Sequence, residues 1–156
     1  MIPIRDDNPQ LGTPIATYVL IALNVAAWFL LQGFGDNISL NASVCDLGLI
    51  PGDVFGDGEG PRYCRGTGTT LGLITHMFMH GSVMHILFNM FGLWMFGTVI
   101  ERRLGSKRFL QFYLLCGLGA AVCHQLVQYI EVHHLGIDLY QMSNVATVGA
   151  SGAVMG

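Results

Sequence analysis

Three stretches of this 156-residue chain are apolar for long enough to cross a lipid bilayer, and that constrains its fold more than any other feature. Spanning about 30 Å of hydrocarbon takes roughly 20 mostly apolar residues in a helix, since lipid offers the backbone polar groups no outside partner. The runs cover residues 13–31 (TPIATYVLIALNVAAWFLL), 83–100 (VMHILFNMFGLWMFGTVI) and 109–130, and a fourth begins near Ser151. Pro14 falls in the first turn of the first run, where its missing N–H costs nothing. That run is too long for a signal-peptide core and has no basic leader or small-residue cleavage site, so it reads as a retained span. The expected class is an all-α, multi-pass membrane helical bundle forming a single domain over residues 1–156.

Composition supports the same reading and removes one class of partner. Of the residues 52% are hydrophobic and 11% charged, against roughly 25% charged in an ordinary soluble domain. The net charge is -3, and the seven Lys/Arg form no stripe or tail that would follow a phosphate backbone, so no nucleic acid is expected. The lipid bilayer is the expected surroundings.

Orientation follows from the stretch ERRLGSKR at residues 101–108, which concentrates Arg102, Arg103, Lys107 and Arg108 between two spans. Short loops rich in Lys and Arg stay cytoplasmic. The N-terminus is therefore expected inside, and the loops 32–82 and 131–148 outside, as in a protein of a bacterial inner membrane. Glu101 is expected to pair with these basic residues or to cap a helix beside them. Cys45 and Cys64 both fall in the long outer loop, where an oxidising periplasm permits a disulfide, although the sequence does not fix the distance between them. Cys116 and Cys123 read as packing thiols within the third span.

Polar side chains inside spans are costly and mark function by default. The stretch HMFMHGSVMHILFN holds His76, His80, His85 and Asn89. Gly81 interrupts it, and Ser82 suits the N-cap of a helix that begins at Val83. His85 and Asn89, four apart, then project from one face within the first two turns, while His76 and His80 precede the helix and read as loop anchors. With the spans alternating in direction, Ser151 starts the fourth on the same side and at a similar depth. Taken alone, Ser151 at a helix start reads as a cap; taken with His85 and Asn89, it reads as a nucleophile. Gly149 permits a tight entry to the serine, and Gly152 with Gly156 gives a small-xxx-small face for close approach of another helix, one that could carry a base. Residues 116–121 (CGLGAA) offer a second such surface.

The stretch His80-Gly81-Ser82-Val83-Met84-His85-Ile86-Leu87-Phe88-Asn89, the following Glu101-Arg102-Arg103-Leu104-Gly105-Ser106, and Gly149-Ala150-Ser151-Gly152 resemble, in order and spacing, the rhomboid intramembrane serine proteases. The resemblance runs from about His76 to Gly156. It implies a six-helix core with Ser151 as nucleophile at the top of a short fourth helix, His85 and Asn89 contributing to the oxyanion hole, Gly149 and Gly152 as motif glycines, and a general-base histidine on the sixth helix. The sequence ends five residues after Ser151, before that base, so residues 1–156 alone are expected to be inactive. The outer loop has Arg62-Tyr63 where such proteins often carry a Trp-Arg pair.

The implied activity is cleavage of transmembrane helices near the outer membrane face, with transmembrane proteins as substrates and neither cofactor nor metal required. An alternative is a rhomboid-like protein that binds membrane clients without cutting them. A histidine-ligated haem or metal protein is disfavoured, because Gly81 breaks the helix and no paired-Cys or HExxH motif completes a site. Topology is directly testable. Cysteines introduced at Asp57 and Ile137 are expected to react with an impermeant reagent from outside and one at Ser106 is not; labelling of Ser106 from outside would overturn the orientation.

Overall fold

The computed structural model describes residues 12–50, 69–135 and 147–155. Among them the chain is helical, with one isolated bridge and no strand. Helix α1 (Ile15–Leu30) is followed by a 3-10 turn (Gly33–Gly35) and α2 (Asn37–Leu47). After the undescribed 51–68 come α3 (Thr69–Thr75), a 3-10 turn (His76–Phe78), the continuous α4 (Val83–Leu104), α5 (Ser106–Leu135) and the short α6 (Ser151–Met155).

Two of these helices, Val83–Leu104 and the Ser106–Ile130 part of α5, are long and apolar enough to cross a membrane. Only 22% of each apolar stretch is buried inside the protein. That separates them from core helices of a soluble protein: Leu87, Phe88, Phe91, Trp94, Phe96, Leu115 and Leu126 all face outward, an arrangement that lipid stabilises and water does not. Helix α1 is shorter, about 24 Å at ~1.5 Å per residue. It is equally apolar on its outer face, with Ile15, Leu23, Phe29 and Leu30 exposed.

The helices extend beyond the apolar runs. ERRLGSKR is not a loop: α4 continues to Leu104 and α5 starts at Ser106, with Gly105 alone between them. Arg, Lys, Glu and Leu favour helix, and Gly105 ends α4 because it adopts φ +80° while its N–H bonds to Glu101 O. Midway, α4 widens into a π turn (Leu93–Gly97). From Asn89 onward its buried positions, Asn89, Leu93, Gly97 and Glu101, recur every four residues along the helix, with Ile86 buried one turn before them. At Gly97 a Cβ would lie 3.2 Å from the Thr17 side chain, so α1 and α4 cross there at close range.

The basic residues do not hold Glu101. Its buried carboxylate instead accepts from Ala16 N–H (2.8 Å), Thr17 N–H (2.7 Å), the Thr17 hydroxyl (2.7 Å) and the Ser106 hydroxyl (2.6 Å). The Glu101 side chain thus caps the start of α1, whose own Pro14 makes no side-chain cap, and at the same time fixes the first residue of α5. Charge-assisted bonds of this kind hold the ends of three helices together away from water.

At the opposite end the loop residues form a clamp. Leu49 and Thr147 exchange backbone bonds of 3.1 and 2.8 Å. The Thr75 hydroxyl donates to Leu47 O at 2.6 Å, and Gly72 lies against the backbone of Gly48. Cys45 on α2 is disulfide-bonded; Cys64, Arg62 and Tyr63 lie outside the described residues. Cys116 is a half-buried free thiol, whereas Cys123 is exposed on α5 and packs less than its sequence context suggests. His133 and His134 fall on the last turns of α5.

Replacing Glu101 by Ala leaves the Thr17 N–H and hydroxyl buried without an acceptor. Such a loss costs about 3 kcal/mol when the acceptor is charged, so Glu101→Ala is expected to lower the melting temperature in detergent markedly, and Ser106→Ala to lower it by a smaller amount.

Candidate active site

Ser82 starts α4 as its N-cap, accepting from His85 N–H at 3.1 Å. That fixes the helical phase, and with it the face on which His85 and Asn89 lie. His85 is half-buried and Asn89 buried. The Asn89 amide donates once to His85 O at 3.1 Å, one turn back along its own helix. Its Nδ2 and the His85 ring both approach one place, the space that a side chain on Gly149 would take. A Cβ there would come within 2.6 Å of His85 Nε2 and 3.4 Å of Asn89 Nδ2.

Gly149 is therefore required twice. Its φ of +111° is a conformation that L side chains rarely adopt, and any side chain would collide with the His85 ring. The segment is held in place by Gly149 N–H donating to His76 O at 2.8 Å and by the Leu49–Thr147 bridge two residues before it. Only the first of these glycine roles, the tight entry, is legible in the sequence.

Ser151 follows as the first residue of α6 and is exposed. It is not the cap, because the carbonyl that closes the first turn belongs to Ala150, which accepts from Ala153 and Val154 N–H at 3.0 Å each. Among the described residues, no hydrogen bond engages the Ser151 hydroxyl. The helix behind it is packed tightly: a Cβ on Gly152 would lie 2.5 Å from Ala120 Cβ, Gly117 faces Met77 and Ala153, and Gly92 faces Val154. The Gly152 side of α6 is thus packed on α5 at Ala120; Gly156, the other member of the small-residue pair, lies outside the described residues.

His85 Nδ1 accepts from Gly81 N–H at 3.3 Å. A neutral imidazole whose Nδ1 accepts carries its proton on Nε2, so the nitrogen over Gly149 is a donor. The His80 ring meets the His85 ring edge-on, with centroids 5.2 Å apart and planes at 71°. His80 is fully buried, and burial first, the neighbouring His85 charge second, pushes its pKa down to about 4. His76 is also lowered by burial, and its Nδ1–H donates to Gly72 O at 2.8 Å. Both rings are neutral at pH 7 and occupied in packing the loop. The residue that sequence reasoning missed is Gln32, whose buried amide bonds the backbone of His80; a polar side chain at the end of an apolar span was the available signal.

A histidine and an asparagine set against a positive-φ glycine two residues before a serine, at one end of apolar helices, raise the question of kinship, and residues 67–156 match the model of the Rhomboid domain. The chain belongs to the rhomboid family. It is 30% identical over 147 residues to rhomboid protease GluP of Bacillus subtilis (strain 168), a match covering 94% of this chain and 24% of that protein. It is also 30% identical over 150 residues to rhomboid protease AarA of Providencia stuartii, covering 94% and 50%. A shorter match of 46% over 44 residues links it to rhomboid protease GlpG of Salmonella newport (strain SL254), covering 28% and 16%. The chain spans about a quarter to a half of the length of GluP and AarA. As a rhomboid-family chain with apolar, outward-facing helices, it is a membrane protein.

In this rhomboid chain Gly149→Ala combines backbone strain with a collision at His85. It is expected to destabilise the fold by about 1–3 kcal/mol, read as a fall in melting temperature in detergent. A variant as stable as the wild type would mean that the His85 ring does not rest on Gly149.

Proposed function

We propose that this protein is an intramembrane serine endopeptidase that cleaves transmembrane helices near the outer face of a bacterial inner membrane, with its N-terminus in the cytoplasm. The observation that carries the reading is the convergence of His85 Nε2 and Asn89 Nδ2 on Gly149, two residues before a serine whose hydroxyl is uncommitted among the described residues. The names of GluP, AarA and GlpG as rhomboid proteases support the same chemistry.

In this reading Ser151 Oγ attacks the scissile carbonyl as a base removes its proton. Negative charge then develops on the former carbonyl oxygen, and donors already in position lower the barrier because nothing must reorganise as the charge forms. His85 Nε2–H, the second Asn89 amide proton and the Ser151 backbone N–H, which has no intrahelical acceptor at a helix start, are the candidates. Collapse of this tetrahedral intermediate breaks the scissile C–N bond, the leaving amine takes up the proton that the base removed from Ser151, and water then hydrolyses the acyl-enzyme to a carboxylic acid and the free serine. The proton acceptor is assigned, by the family resemblance, to a histidine on a later helix. His76 and His80 are poor substitutes, since both rings are buried and packed within the loop.

The substrate is a transmembrane segment that unwinds locally near the outer face, because an intact helix keeps its amides in hydrogen bonds. Ser151→Ala is expected to abolish both cleavage of a model transmembrane substrate in proteoliposomes and covalent labelling by a fluorophosphonate. Asn89→Ala should fold normally and cleave about 10²-fold more slowly if its amide donates to the oxyanion. Undiminished cleavage in Ser151→Ala would end the serine-protease reading.

A further inference from the structure

We propose that Gln32 is a positioning residue that sets the tautomer of His85 through the peptide unit joining His80 and Gly81, an inference that rests on reading His85 as an oxyanion donor. Gln32 lies just past the end of α1 and is fully buried. Its amide makes two bonds, both to the backbone of one residue: Nε2–H donates to His80 O at 2.7 Å, and Oε1 accepts from His80 N–H at 3.0 Å.

The carbonyl of His80 and the N–H of Gly81 are the two poles of one peptide plane. That plane is rigid, so anchoring its oxygen fixes the direction in which its N–H points. The Gly81 N–H points at His85 Nδ1, 3.3 Å away. A donor on the carbonyl also polarises the amide and strengthens its N–H as a donor, so the two bonds reinforce each other. The relay therefore runs from the Gln32 amide through the His80–Gly81 peptide to Nδ1. It leaves the single proton of a neutral ring on Nε2, above Gly149. Turning the His85 ring by 180° would carry Nδ1 away from the Gly81 N–H and lose that bond.

The chemical consequence is a matter of sign. With the proton on Nε2, His85 offers a donor to a developing oxyanion. With the proton on Nδ1, it offers a lone pair, which repels the same charge. A side chain that only stabilised the loop would affect melting temperature and leave the tautomer alone, so the two roles separate experimentally.

The test uses the intact protein with its histidines labelled with nitrogen-15, in detergent micelles above pH 7, where the ring shifts of His85 report which nitrogen carries the proton. Wild type is expected to show Nε2–H. Gln32→Met keeps the volume and removes both bonds; it is expected to populate the Nδ1–H form and, assayed below its melting temperature, to lower kcat by about 10-fold or more with KM unchanged. Should Gln32→Met fail to fold, Gln32→Asn carries the test, since its arm is one methylene too short to make both bonds. A folded variant with His85 still wholly Nε2–H and kcat unchanged overturns the proposal. A tautomer shift in a protein whose wild type cleaves nothing supports the relay and refutes the protease reading, so the two failures are distinct.

Discussion

A carboxylate sealed from water at one end of the bundle sets the relation of its helices. Glu101 accepts four hydrogen bonds from two residues of α1 and one of α5 while itself belonging to α4. An ionised group in such a place is costly unless every lone pair is used, and here the donors are the orphan N–H groups of a helix start together with two hydroxyls. The same need for partners falls on both sides: α1 has no cap of its own, and Glu101 has no other acceptor role. Burial of each is conditional on the other, which fixes where α1 stands before any apolar contact is counted.

The distant end depends on that arrangement but works by a different principle, the absence of a side chain. Gly149 leaves the space of its missing side chain to the His85 ring and the Asn89 amide, Gly152 admits Ala120, and Gly72 admits the backbone of Gly48. Lipid provides no driving force for helices to associate, so close backbone approach replaces it. A bundle tethered by polar bonds below and by small residues above leaves the wide outward faces to bulky residues such as Phe88 and Leu115.

Much of this was legible in the sequence, and the boundary is physical. Apolar runs announce helices because lipid admits little else, Ser82 announces the start of α4, and spacing of four puts His85 and Asn89 on one face. Gly149, two residues before Ser151, lies at the end of α4 that carries His85 and Asn89. What escaped were bonds whose two halves are far apart in the chain. Glu101 looked like a partner for its basic neighbours, yet apart from the nearby Ser106 hydroxyl its donors lie 84 and 85 residues away. Gln32 and His80 are separated by 48 residues, and Leu49 finds Thr147 only in the folded chain. Local pattern also underestimated α4 and α5, which run on into charged residues because charge at a membrane face does not stop a helix.

The π turn in α4 has a geometric meaning. From Asn89 to Glu101 is twelve steps, and an unbroken α-helix at ~100° per residue would leave those two side chains about 120° apart around the axis. Five residues wound more loosely take back roughly 90° of that, so Asn89 and Glu101 come to lie nearly above one another. The widened turn acts as a phase corrector, equivalent to absorbing one surplus residue. Straightening it would swing one end of α4 by about a quarter turn against the other, and the anchor and the asparagine could no longer both face inward. Through a single helix, the orientation of the polar pair at one membrane face is geared to the capped helix start at the other.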